Sequence, residues 1–398
     1  MRVLAFGTYD AALHPRVAVL LEGLRDHGHT VVELNEPLAL STAQRVATLQ
    51  QPWRLPVLGW QIARSWARLV ASSRVGSRPD LVVVGFLGHF DVVLARALFR
   101  GVPIVLDLLV SAEETARDRG STSRPVLGAL RWLDRLAVRC ADVVVVDTEE
   151  HLALVGAHRR RDTVVVPVGA PDAWFTASRD DTSSALPPSA ATSTAMPIAT
   201  SAATPTATPT ATPHGPLRVV FFGTFTPLQG APVIGRAISL LADEPIDFTV
   251  IGRGQDYDAT VAAAGSSRRV TWVPWVPAAE LPSVVAGHDV CLGIFGVGPK
   301  ARSVVPNKVF QGMAAGLAVV TSDTPPQRRA LDGAVDLVPP GDAHALAAAL
   351  LELAADPGLL ETSRARASAR ARSQMSPRAV TTSLTQRLGV RSIRPPIG

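Results

Sequence analysis

Short apolar runs, each about five residues long and rich in Val, Ile and Leu, recur along the chain. In the first half they fall at 3–6, 31–34, 81–85, 103–106, 142–146 and 163–166. Helical stretches separate them, for example 16–27 and 127–140. The second half repeats the texture, with apolar runs at 218–222, 247–251, 270–273, 289–295, 318–321 and 334–338. Helical stretches again intervene, such as 231–242, 308–315 and 343–356. Continuous apolar strands that alternate with helices predict parallel sheets covered on both faces. Each half therefore reads as one doubly wound, Rossmann-like α/β domain. Ligands of such sheets bind at the carboxyl ends of the strands, so two domains that face each other predict a cleft.

The two halves are separated by a stretch of different character. Residues 182–213 hold nine Ala, nine Thr, five Ser and six Pro, and no charge. Nothing in TPTATPTATP can build a core, so the segment reads as a low-complexity linker. The expected organisation is an N-terminal acceptor-side domain at 1–178, a disordered linker at 179–216 and a C-terminal nucleotide-binding domain at 217–375. A tail at 376–398 then either crosses back to the first domain or frays.

Composition narrows the class. Hydrophobic residues make up 47% of the 398 and charged residues 18%, enough to bury two cores. No apolar run approaches the ~20 residues of a membrane-spanning helix, and the N-terminus shows no secretory signal. The two cysteines, Cys140 and Cys291, sit inside apolar runs and read as reduced, buried thiols. These features lead to an expected cytoplasmic location. The net charge of +5 fits an anionic partner. Of 39 basic residues only Lys300 and Lys308 are lysine, and they lie close together. An ammonium is a compact point charge that an arginine fork does not replace, so the pair marks a candidate site.

Segment 289–323 carries the strongest signal. A strand runs into Gly296-Val297-Gly298, followed by Lys300 and Arg302, then Pro306-Asn307 and a helix bearing Lys308 and Gln311. Lys308 and Gln311 are three apart and share a helix face. Beyond a break at Ala315-Gly316, a strand ends in Thr321-Ser322-Asp323. Lysine, amide and a helix N-terminus together suit a diphosphate and a sugar hydroxyl. Gly223-Thr224 and Gly252-Arg253-Gly254 follow strands of the same half, where backbone or Arg253 can reach a phosphate. Neither they nor Gly7-Thr8 form a GxGxxG pattern, which argues against a dinucleotide.

With these motifs in order, the chain resembles GT-B glycosyltransferases, with motifs similar to glycosyltransferase family 4 and related bacterial cell-surface glycan transferases. The resemblance implies a GT-B fold and transfer of a sugar, of the hexosyl type, from a nucleotide-diphosphate sugar to a glycan or lipid-linked acceptor. Cell-envelope or polysaccharide biosynthesis is the implied setting. The family's pair of glutamates, eight positions apart, is replaced here by Ser303 and Gln311. The loop 226–230 lacks the family's Arg and Lys. The diphosphate then falls to Lys308 with Lys300 or Arg302. Lys-x-x-Gln on this helix is similar to bacterial membrane-associated glucuronosyltransferases of the same fold, which invert. Gly223, Thr224, Arg253, Lys300, Asn307, Lys308, Gln311 and Thr321 are the expected nucleotide-sugar residues. The competing reading of the lost glutamates is a non-catalytic subunit that binds nucleotide or glycan.

In the first half, 103–111 is similar to an FDP-x-VS stretch of bacterial glycosyltransferases. Asp107 follows an apolar run there, and poor solvation raises a carboxyl pKa, which suits a general base. Gly7, His14, Arg16, His89 and Asp91 are the expected acceptor or cleft residues. Asp91 reads equally as a helix cap, and His151 reads as a cap. No histidine or cysteine spacing matches a metal site, so neither metal nor cofactor is expected. Lys, Arg and helix dipoles would neutralise the diphosphate. Trp60, Ala63, Ala67 and Val70 share a helix face beside Arg64 and Arg68, which suits a membrane surface as well as packing on the domain's own sheet. Arg364, Arg366, Arg370 and Arg372 form a basic helix face. The arginines are otherwise dispersed and match no nucleic-acid reader.

Overall fold

The computed structural model describes residues 1–10, 14–37, 55–73, 77–85, 88–109, 111–177 and 215–392. The expected linker lies outside these except at its last residues. The first half runs β1 (Arg2–Gly7), α1 (Pro15–Asp26), β2 (Thr30–Asn35), α2 (Leu55–Ser73), β3 (Leu81–Val84), α3 (Asp91–Leu98), β4 (Ile104–Asp107), α4 (Ala112–Asp118), α5 (Arg124–Cys140), β5 (Val143–Val146), α6 (Leu152–Val155), β6 (Thr163–Val165) and α7 (Asp172–Thr176). The second runs β7 (Leu217–Phe222), α8 (Ala231–Leu240), β8 (Ile246–Ile251), α9 (Tyr257–Ala264), β9 (Val270–Val273), α10 (Leu281–Ala286), β10 (Val290–Leu292), α11 (Asn307–Ala314), β11 (Ala318–Ser322), α12 (Pro325–Leu331), β12 (Asp336–Val338), α13 (Ala343–Ala355), α14 (Pro357–Gln374) and α15 (Pro377–Ser392).

Two six-stranded sheets result, ordered β2-β1-β3-β4-β5-β6 and β12-β11-β10-β7-β8-β9. Every pairing is parallel. The order reverses between β1 and β3 in the first sheet and between β7 and β10 in the second, the crevices where such sheets bind ligands. Central strands such as β3 and β5 are buried along their whole length, which is why their sequences are unbroken Val and Leu. The segments that follow β4, β5, β10 and β11 touch across the domains: Thr148 Oγ1 donates to Ser303 O at 2.8 Å, Lys300 Nζ to Thr115 Oγ1 of α4 at 3.1 Å, and Arg329 of α12 pairs with Glu150. The carboxyl edges of the two sheets therefore face each other.

The domains exchange their ends. Val168, Ala170 and Trp174 join the core of the second sheet, where Trp174 stacks on Phe222 with ring centroids 5.5 Å apart. Residues 168–177 thus help to complete the core of the second domain, while the Asp172 N–H donates to Glu22 of α1 at 3.2 Å. Conversely, α15 lies on the first sheet, with Val380, Leu384 and Leu388 packed among Val3, Val19 and Leu20. Gly23 of α1 is the crossing point: a Cβ there would fall on the Pro377 carbonyl and the Thr381 side chain. Gly23→Val should therefore cost about 3 kcal/mol by overpacking, although glycine itself is a poor helix former. An unchanged urea midpoint would show that α15 does not press on α1.

Candidate functional site

Near the start of α11, Lys308 turns its amine inward over the end of β7. Its Nζ donates to Gln229 Oε1 at 2.5 Å and stands 3.7 Å from the centre of the Phe221 ring. A Cβ on Gly223 would sit 3.2 Å from that nitrogen, so the bare backbone after β7 is what leaves the amine room. Lys308 is 5% exposed and Gln311 4%. Burial pushes the Lys308 ammonium down to about 7. Gly230, at φ 61°, packs directly on the Phe295 and Gly296 backbone, which draws the loops after β7 and β10 together at the switch point. Gly223 and Thr224 are exposed beside them. Gln229 supplies the oxygen that holds Lys308; its place in a loop without charge gave no signal in the sequence.

The other expected donor residues are spread more widely. Arg253 is exposed and lays its guanidinium 4.4 Å from the Tyr257 ring centre. Asn307 opens α11, whose cap residue is Pro306. Thr321 is fully buried; its hydroxyl donates to Gln327 Oε1 at 2.7 Å and accepts from the Ile294 N–H at 3.2 Å. That is a structural bond between β11 and α12, with no face toward the cleft. Ser303, in place of the first glutamate, donates its hydroxyl to Pro299 O at 2.9 Å. Lys300 points away from Lys308 and reaches the first domain. Burial lowers its pKa, while Asp118, Glu114 and Asp147 pull it up.

On the first-domain side, Asp107 is 2% exposed and sealed. Arg16, itself 1% exposed, donates Nε to Asp107 Oδ1 at 3.2 Å and Nη1 to Pro167 O at 2.5 Å. Burial raises the Asp107 carboxyl above the ordinary range against the pull of Arg16. The raised pKa expected from its apolar run is present, but an acceptor hydroxyl cannot reach the group. Arg16 likewise is an internal partner rather than a cleft residue. Asp91 is no helix cap: its Oδ2 accepts from the Thr8 N–H and hydroxyl at 2.7 and 2.8 Å, and its Oδ1 from Trp66 Nε1 at 2.9 Å. It pins the loop after Gly7 to α2. His89 Nε2 lies 2.9 Å from Asp134 Oδ1. Asp134 also accepts from Ser111 Oγ and the Ala112 N–H, holding the start of α4. Burial raises the Asp134 carboxyl, but these contacts win and leave it below the ordinary range. His14 folds back, with Nδ1 2.7 Å from Asp10 O.

Sequence reasoning gave too little weight to His151 and missed Glu114. His151 caps no helix with its side chain; Nδ1 is 2.5 Å from Asp147 Oδ1. Burial opposes the imidazolium, yet Asp147 and Glu114 outweigh it and raise the pKa. Glu114, in the first turn of α4, is raised by burial and lowered by His151 and Lys300. The Asp147–His151 spacing of four was the available signal. Among the described residues, no three His, Cys, Asp or Glu side chains gather as a metal site would need.

Residues 216–356 match the family described as Glycosyl transferases group 1. No curated protein sequence matches the chain. Among solved structures, Anabaena HepE in complex with UDP-glucose superposes with a TM-score of 0.62 at 14% identity, covering 98% of this chain and 100% of that one. Sucrose-phosphate synthase from Thermosynechococcus elongatus gives 0.66 at 14% identity, covering 98% of each chain. A glycosyltransferase from Rickettsia africae gives 0.58 at 12% identity, covering 98% and 97%. The fold is that of the GT-B glycosyltransferases. The second domain is the half that the family matches. Lys308 and Gln229 stand at its switch point, between β7 and β10.

Proposed function

We propose that the protein is a glycosyltransferase that moves a hexosyl group from a nucleotide-diphosphate sugar to a glycan or lipid-linked acceptor, without a metal ion, in cell-envelope or polysaccharide synthesis. The observation that carries this reading is the Lys308 amine held by Gln229 beside the bare backbone of Gly223. An ammonium beside a glycine turn and a helix start suits the diphosphate, and its charge stabilises the leaving group. Gln311, on the same helix, offers an amide for a ribose or sugar hydroxyl. HepE binds UDP and UDP-glucose, which supports a uridine nucleotide here.

The acceptor belongs to the first domain, where Glu114, Asp118, Asp147 and His151 face Lys300. Closure over that side would keep water from the donor. On the outer surface, Trp60 is 62% exposed with Arg64 stacked 5.5 Å from its ring centre, and Trp132 of α5 is 64% exposed. These tryptophans with their arginines suit attachment to the inner face of a membrane carrying a lipid-linked acceptor. Among the described residues, no single helix is long and apolar enough to cross a membrane.

Calorimetric titration with UDP, GDP and their sugar conjugates tests the reading. One nucleotide and its conjugate should bind with micromolar affinity. Heat from none of them at millimolar concentration would remove the donor site and favour a non-catalytic glycan-binding subunit.

A further inference from the structure

Among the described residues, no anion meets the buried Lys308 amine. From β7 it faces the Phe221 ring and the Gly223 backbone; from the turn 227–229 it faces the Gln229 amide oxygen. From β10 comes Cys291, whose Sγ lies 3.6 Å from the Lys308 carbonyl oxygen. Among the described residues, Cys291 is the sole titratable group that acts on the amine; α7, α10, β11 and α14, which also pack on this helix, bring none, and burial pushes the Cys291 thiol up to about 12, so it stays neutral. On its own helix the buried polar neighbour is Gln311, a neutral amide. One amide oxygen and one ring face are weak compensation for a buried ammonium, which water would otherwise solvate. A diphosphate at Gly223 would bring the missing negative charge.

We propose that Lys308 makes donor binding proton-linked: the site takes up a proton from solvent together with a nucleoside diphosphate or its sugar ester and releases it when the ligand leaves. The inference rests on the donor reading given above and adds its regulation. The sign follows from the two states of the amine. In the free protein the proton is held only weakly, with half of it gone near pH 7. An adjacent diphosphate favours the charged form and raises the pKa. Below that pH the amine is already charged and binding moves no proton. Above it, uptake approaches one proton per ligand, and affinity falls roughly tenfold per pH unit until the bound-state pKa is reached. A nucleotide sugar has no titrating phosphate proton in this range, so the slope belongs to the protein.

The chain is suited to the test because Lys300 and Lys308 are its only lysines. Lysine labelled with carbon-13 at Cε gives two side-chain signals, and a Lys308→Arg variant identifies the one that remains. Both would be titrated from pH 5.5 to 10.5, in the free protein and with inorganic pyrophosphate, UDP or GDP. The expected result is a Lys308 signal that titrates near neutrality alone and at least one unit higher with a ligand that binds. A Lys308 signal that titrates near 10 in the free protein overturns the proposal. So does a ligand that perturbs the signal without raising its midpoint, and in that case the donor site stands. No perturbation by any of the three at millimolar concentration overturns the proposal and the donor reading together.

Discussion

Replacing Lys308 with methionine should weaken nucleotide-sugar binding at least tenfold and, at the same time, make the protein more stable below pH 7. The first effect follows from losing a charge-assisted contact to phosphate, worth roughly 1.5–3 kcal/mol. The second follows from linkage. The folded state depresses the Lys308 pKa from the usual lysine value to about 7. Between that value and the unfolded pKa the unfolded chain binds more protons, so wild-type stability rises with pH across this window. Below about 7 the full penalty of a buried ammonium is present, and methionine, of similar length, removes it while keeping the Phe221 contact. Thermal unfolding at pH 6 and pH 9.5, beside calorimetry with the bound nucleotide, reads both effects. A variant that binds normally would disprove the donor assignment. One that is destabilised at pH 6 would mean that the amine is better compensated than Gln229 and Phe221 allow.

Asp107→Ala and Arg16→Ala should each destabilise the protein by roughly 3–5 kcal/mol, because each leaves one buried charge of a closed pair without its partner. The pair is 91 residues apart in sequence and no more than 1% exposed at either side chain. Its margin is already thin: Arg16 Nη2 and Asp107 Oδ2 are buried without a protein partner. The double replacement Arg16→Met with Asp107→Leu should recover most of the loss, since well-packed apolar residues often substitute for a buried ion pair at no cost. Urea unfolding of the two single variants and the double one measures the coupling. This separates two roles for Asp107. A base facing the cleft would give stable, inactive single variants, whereas a sealed pair gives unstable ones that the double variant rescues.

Much of the fold was legible because its strands are buried on both faces. A run such as 142–146 has little choice but to lie in a covered parallel sheet, and β5 occupies Val143–Val146. The apolar run 289–295 outlasts its strand: β10 ends at Leu292, and Gly293 beyond it packs directly on Thr321. Lys308 was legible by rarity, since in an arginine-rich chain a retained lysine stands out. Its partner Gln229 was not, because a neutral amide in a loop has no periodicity and no charge pattern. Asp107 shows the converse limit. Local sequence correctly implied poor solvation, but the cause and the consequence both depend on Arg16, which only tertiary structure brings near. Trp174 gave no signal of its place in the core of the second sheet, whereas the tail takes the first of its two readings and crosses back to the first domain as α15.

The reciprocal placement of Trp174 and α15 changes what the long uncharged segment does for the molecule. Each half completes its interior with a piece that the chain delivers from beyond the other half. The bodies are held by two crossings, one leading into 168–177 and one at 375–377, as well as by the contacts across the cleft. A single break within 182–213 would leave the fragments clasped, because the earlier one still owns Trp174 and the later one still owns α15. The two sides of the cleft are thus clasped by residues 168–177 and α15, each an arm that one half lends to the other.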